Sequence, residues 1–184
     1  MSIKDILSYI LLMILIAFTL LNFYALLTSK KRRAASTMKY NTEMSTIESN
    51  LLRIMKERAL NFTMVRRFMN DKGQGIILVA DMEKRIAAIG MTGDTELFSF
   101  DELTDAHADF TKGKRRYHTA SVTAVIRGVD ITYEIGTRPF FRRGIIGKVI
   151  YETAGEFNAS LWEIINASKD PAGEGGNAEE GKAD

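Results

Sequence analysis

Cysteine is absent from the 184 residues, which removes disulfide scaffolds, thiolate nucleophiles and Cys-ligated zinc or iron–sulfur centres. Histidine is nearly absent as well. His107 and His118 are the only two, too few for a His-rich metal centre. No sign of charge is in large excess: 25 basic side chains stand against 23 acidic ones, a net charge of +2. Bulk charge therefore gives no reason to bind nucleic acid. Motif chemistry is equally sparse. The sequence contains no Gly-x-x-x-x-Gly-Lys-Ser/Thr, Gly-x-Gly-x-x-Gly, His-Glu-x-x-His or Gly-x-Ser-x-Gly pattern. Gly144-Ile145-Ile146-Gly147-Lys148 has some of the composition of a phosphate loop but neither its glycine spacing nor its Ser/Thr. With no nucleophile and acid–base set in view, we expect no catalytic, cofactor-binding or metal-ligating residues.

What the chain does have is one long uncharged run. Residues 6–29 carry no charge, and of the 22 positions 6–27, 19 are apolar or aromatic. At about 1.5 Å per residue the run spans roughly 33 Å, enough to cross a hydrocarbon core of about 30 Å. A cleaved signal peptide would have a shorter apolar region, a basic flank before it and a small-x-small exit. Here Lys4 is followed by Asp5, and the run leads straight into Lys30, Lys31, Arg32 and Arg33. That is the pattern of an anchor (residues 1–29) with a stop-transfer flank. The four cations predict an N-terminus outside and a cytoplasmic soluble part at a cell inner membrane, with the same cations holding anionic headgroups.

Residues 30–42 read as a basic juxtamembrane spacer. Ser45-Thr46-Ile47-Glu48 fits a capping box, and Met44, Ile47, Leu51, Ile54 and Met55 recur at helical spacing, giving an amphipathic helix over 43–60. Docking on the following domain is the expected fate of that stripe. The period then drops to two. Strands are expected near 62–68, 76–80, 85–91, 96–100, 103–110, 117–126 and 129–137, the last two the longest, with turn chemistry between them. Arg127-Gly128 is the tightest of those turns. The period changes again at Ile146, Ile150, Ala154, Phe157, Leu161 and Ile165, which mark a helix of about 22 residues. Residues 169–184, acidic and rich in glycine, read as a disordered tail.

The predicted class is α+β: a transmembrane helix, a second helix, then a small antiparallel sheet or barrel of about seven strands closed by a C-terminal helix. In that element order, residues 61–168 resemble the pleckstrin-homology-like superfold. The whole chain is similar to uncharacterised single-pass membrane proteins of bacteria and their prophages. Neither resemblance implies catalytic or ligand residues.

Charge is unevenly spread along this domain. Residues 81–109 hold eight acidic and two basic side chains; residues 112–148 hold nine basic and two acidic. The acidic group includes Asp101, Glu102, Asp105 and Asp109, without the spacing of a calcium loop. His107 and His118 could face each other across a hairpin. The cations gather in a loop (Lys112, Lys114, Arg115, Arg116) and at the junction before the last helix (Arg138, Arg142, Arg143, Lys148). Two readings stand: acidic and basic strands pair across the sheet, or the cations form a rim for anionic headgroups or an acidic partner, with Phe140 and Phe141 as an apolar wedge. The functional expectation is a membrane-tethered, non-enzymatic interaction module. It would sit on the cytoplasmic face of a bacterial inner membrane and bind an unknown partner protein or anionic lipid. A structural subunit of an envelope assembly is the alternative.

Overall fold

The computed structural model describes residues 3–113, 116–141 and 143–169, with the backbone alone for 3–6, 25–36, 39 and 118. The expected tail lies outside the described residues from 170 onward. No glycine precedes Gly73 and no proline precedes Pro139, so nothing in the first third of the chain breaks a helix. Helix α1 accordingly runs unbroken over Ile3–Glu57. The expected spacer and the expected second helix are both parts of it. It ends where Ala59 takes a left-handed backbone (φ 51°) and the Leu60 amide closes on the Met55 carbonyl at 2.9 Å.

The chain divides into two compact units, Met1–Thr42 and Glu43–Asp184. In the first, Leu7–Tyr24 is long and apolar enough to cross a membrane, and its side chains are exposed. The second unit holds seven strands and helix α2 (Ile145–Lys169).

The seven strands do not form one sheet. β1 (Met64–Met69), β2 (Gly75–Asp81), β3 (Ile86–Met91) and β4 (Asp94–Ser99) make an antiparallel meander, and β5 (Leu103–Lys112), β6 (Tyr117–Ile126) and β7 (Val129–Gly136) make a second one. The break between them is a 3-10 turn at Phe100–Glu102, where the Glu102 carboxylate accepts the Ser99 amide at 2.9 Å. That turn takes the chain out of the first sheet, and a register shift at Leu103/Asp105 follows immediately. β5, with its weak alternation, is as long as β6 at 10 residues, and longer than β7.

The two central strands of the first sheet, β2 and β3, are buried on both faces. Met64, Phe68, Ile76, Leu78, Ile89 and Phe98 look into the main core, which also takes Val122, Tyr133 and Ile135 from the second sheet and Ile150, Phe157 and Leu161 from α2. The opposite face, with Ile77, Val79 and Ala88, is covered by Met44, Ile47 and Leu51 of α1. A Cβ on Gly75 would come within 2.7 Å of the Met44 side chain, and one on Gly90 within 2.7 Å of that of Ile47, so a larger residue at either position would force a side chain of α1 to shift. This is why β2 reads as a continuous apolar run, while the outer face of the second sheet carries Thr119, Ser121, Thr123 and Thr132. Phe157 lies at the centre, 4.8 Å from the Phe68 ring and 5.4 Å from the Tyr133 ring.

Asp81 ties the start of the domain together. Its buried carboxylate accepts the backbone amides of Asn61 (2.7 Å), Lys84 (2.9 Å) and Glu83 (3.1 Å). Those bonds, that of Asn61 foremost, hold its pKa below the ordinary carboxylate range in spite of burial.

Two stability predictions follow from this packing. Phe157→Ala should cost roughly 3–5 kcal/mol, a large share of the about 5–15 kcal/mol a domain holds, and urea unfolding of the variant measures it. Asp81 contributes stability that is complete above the unfolded carboxylate value of about 3.9 and is lost as pH falls through the lower folded value. Asp81→Asn should therefore weaken the protein at neutral pH and shrink the difference from the parent in acid. Parallel unfolding curves at both pH values check this.

Candidate functional site

Among the described residues, Lys112 and Arg116 meet Arg138, Arg143 and Lys148, far apart in sequence, at one end of the domain. The tip of the β5–β6 hairpin carries the first group and the passage from β7 into α2 carries the second. Reciprocal backbone hydrogen bonds between Tyr117 and Phe140, each 2.9 Å, join the two. Their rings stack at 5.4 Å, and Phe110 packs on Tyr117 and Tyr151 at 5.7 and 4.8 Å. Asp71 fixes the passage from its other side. Its carboxylate accepts the Thr137 amide (3.0 Å), the Thr137 hydroxyl (2.9 Å) and the Arg138 amide (2.9 Å).

Lys112 ends β5, Arg116 precedes β6, Arg138 and Arg143 lie in the passage, and Lys148 is in the first turn of α2. Lys114, Arg115 and Arg142 lie outside the described residues. Lys30, Lys31, Arg32 and Arg33 belong to the backbone of α1 in the other unit. The Arg116 guanidinium sits 4.5 Å from the centroid of the Phe141 ring, a cation–π arrangement.

The acidic stretch finds its partners elsewhere. Arg127 reaches Glu96 and Glu102, both at 3.0 Å, and donates to the Leu97 carbonyl at 2.7 Å. Its guanidinium holds the Glu102 carboxyl below the usual range, and Glu102 in turn raises the Arg127 pKa. Arg127 and Gly128 both take positive φ, 55° and 75°, the tight hairpin turn that the dipeptide predicts. Arg85 pairs with Asp101 at 3.3 Å and donates to the Ser168 carbonyl at the end of α2 (2.5 Å). Lys72 pairs with Glu134 at 3.3 Å. Among the described residues, Lys112, Arg116, Arg138, Arg143 and Lys148 make no ion pair. Of the basic stretch, Arg127 pairs with the acids, while the described rim cations are exposed and make no ion pair.

Other candidates resolve differently from expectation. His107 lies opposite Thr123, not His118, because His118 sits near the bulge at Thr111/Lys112 at the far end of the ladder. Asp105 and Asp109 flank His107 on its own strand, at 3.9 and 3.2 Å. Among the described residues, no three His, Asp or Glu side chains gather where they could hold a metal ion.

Phe140 is no surface wedge: it is 5 % exposed and belongs to the core, whereas Phe141 is 51 % exposed. Ile146 likewise leaves the buried stripe. Gly147 and Ile150 face the core instead, and Ile146 is 69 % exposed beside Ile145 at 86 % and Val149 at 56 %. The sequence did carry a sign of this. Ile145 and Val149 are apolar positions surplus to a stripe of threes and fours. Between this start of α2 and residues 138–141 lies an open cleft of about 630 Å³, lined by Pro139, Phe141, Gly144 and Ile150 among others.

No protein-family model, curated protein or solved structure matches the chain.

Because the described rim cations carry no internal ion pair, replacing Lys112, Arg138, Arg143 and Lys148 together by Gln should leave the melting temperature close to that of the parent. Arg127→Gln should lower it, since three contacts of one guanidinium are lost. Thermal scans of the two variants beside the parent decide the point.

Proposed function

We propose that this chain is a membrane-tethered, non-enzymatic interaction module whose folded domain offers a basic face to anionic groups. The observation that carries the reading is the pairing of opposites within one chain. An 18-residue apolar window, Leu7–Tyr24, precedes a domain whose open cations collect at one end beside exposed apolar side chains. The groups with perturbed pKa values also have structural occupations. Asp81 caps backbone amides, Glu102 and Arg127 close a corner between the sheets, and burial raises Tyr133 in the core. A general acid or base would instead face an open site.

The pleckstrin-homology-like reading of residues 61–168 belongs to the same proposal. It draws on a four-strand meander, a three-strand meander and a C-terminal helix packed across their shared core. Orientation rests on the charge step at Lys30, Lys31, Arg32 and Arg33: the domain is cytoplasmic, at an inner membrane of a bacterial cell.

Two measurements on the full chain test the tether and its direction. The protein should stay with membranes through alkaline carbonate washing. A C-terminal alkaline phosphatase fusion should be inactive and a C-terminal fluorescent fusion active. Neutralising all four juxtamembrane cations should make the orientation mixed. Release by carbonate would sink the tether, and an active phosphatase would invert the topology.

A further inference from the structure

The geometry points to the first two turns of α2 and the preceding Phe141 as an interfacial wedge that enters an anionic bilayer surface. The inference rests on the tethered reading above and names what the basic face meets. Four apolar side chains, Phe141, Ile145, Ile146 and Val149, are between 51 and 86 % exposed on one short stretch. Water is a poor environment for so much clustered apolar area, and an exposed patch rimmed by polar groups marks a contact surface.

The surroundings of those side chains select a membrane. Arg116, Arg138, Arg143 and Lys148 stand around them without acidic partners among the described residues, and the first turn of α2 contains no acidic side chain. Gly144 precedes the helix and supplies no side chain to its first amides, and the positive end of the helix dipole favours anionic groups there. Apolar side chains that project outward, ringed by cations, match the layering of a lipid surface, with phosphates above and acyl chains below. Such helices lie roughly 5–10 Å into the boundary between headgroups and chains. An acidic protein would satisfy the cations but leave Ile145 and Ile146 to find an apolar surface of their own.

The helix also shows where contact stops. On the same outward face, Ile145 and Val149 give way to Glu152, Glu156 and Glu163, all exposed. An anionic surface repels those carboxylates, so only the N-terminal end of α2 descends. The long side chains of Arg143 and Lys148 can extend toward phosphates while their stems lie along the apolar residues. Span and wedge would then act together, because the span confines the domain to the bilayer and even a weak second contact becomes populated at high effective concentration.

The absence of cysteine makes a clean test available. Ile146→Cys in the full chain takes a single environment-sensitive fluorophore, and Glu83→Cys, at an exposed turn away from the patch, serves as the control site. Both are reconstituted into vesicles of pure phosphatidylcholine or of phosphatidylcholine with phosphatidylglycerol. With anionic lipid, the label at 146 should shift to shorter emission wavelength and be quenched by nitroxides on the acyl chains, while the label at 83 stays in water. High salt should reverse the shift, since the Debye length falls from about 8 Å at physiological ionic strength to about 3 Å at 1 M. Adding Arg116→Gln, Arg143→Gln and Lys148→Gln should reduce the shift severalfold without lowering the melting temperature. A label at 146 that stays in water with anionic vesicles, in protein that resists carbonate, overturns the wedge and leaves the tether standing. A response to polyglutamate but not to lipid also overturns it, and assigns the face to an acidic protein. Protein that washes off in carbonate refutes the tether, and the response of the same label to added anionic vesicles then decides the wedge alone.

Discussion

Phe157 touches one aromatic ring from each sheet, Phe68 at 4.8 Å and Tyr133 at 5.4 Å, and it is fully buried. Among the described residues one backbone hydrogen bond joins the two meanders, from the Asp71 amide to the Ile135 carbonyl. Apolar packing through α2 must therefore do what a continuous hydrogen-bond ladder does in a single sheet. The arrangement makes the helix part of the core and not a lid over it. It also fixes where the two ends of α2 emerge. The C-terminal end is held by Arg85 on the Ser168 carbonyl, with Trp162 donating to the Ala106 carbonyl at 2.8 Å. At the N-terminal end Gly147 and Ile150 face the core, and Ile145 and Ile146 are bare.

Burial of β2 and β3 on both faces governs where charge can go. Their side chains are apolar or small except for Asp81 at the end of β2, whose carboxylate is taken up by backbone amides, and other charge lies in turns, on edge strands and in the second sheet. Within those limits the acids cluster near the corner between β4 and β5, where Arg127 and Arg85 meet them. The described cations of residues 112–148 other than Arg127 sit at the opposite end of the β5–β6 hairpin, out of reach. Segregation along the sequence thus becomes segregation in space. Glu96, Glu102 and Asp101 are held by Arg127 and Arg85, while Lys112, Arg116, Arg138, Arg143 and Lys148 pair with no acid among the described residues.

This distribution bears on function more directly than the fold does. A small domain of two meanders and a helix can serve many ends. A cluster of open cations around bare apolar side chains is narrower in meaning, because it costs both repulsion and exposed hydrophobic area unless something covers it.

Local order was legible in the sequence because it depends on neighbours in the chain. Alternation, a short apolar run and the turn residues between them marked the seven strands, and the period of three and four marked α2. Arg127-Gly128 marked a turn, and the uncharged run over residues 6–29 marked the apolar part of α1. The same local rules failed wherever a distant element decided the outcome. Alternation tells which face of a strand is buried but not which sheet the strand joins, so the division at Phe100–Glu102 was invisible. Helical spacing placed Ile146 on the buried stripe, yet Gly147 and Ile150 take the inward positions at the start of α2 and Ile146 is left outside. Phe140 and Phe141 are equivalent as neighbours in sequence; the backbone bridge to Tyr117 sends one inward and leaves the other under Arg116. The composition alone determined that basic and acidic residues are segregated and that an apolar segment precedes them. Only the tertiary structure decided which cations are paired, because pairing depends on distances set by how two sheets and a helix close on Phe157.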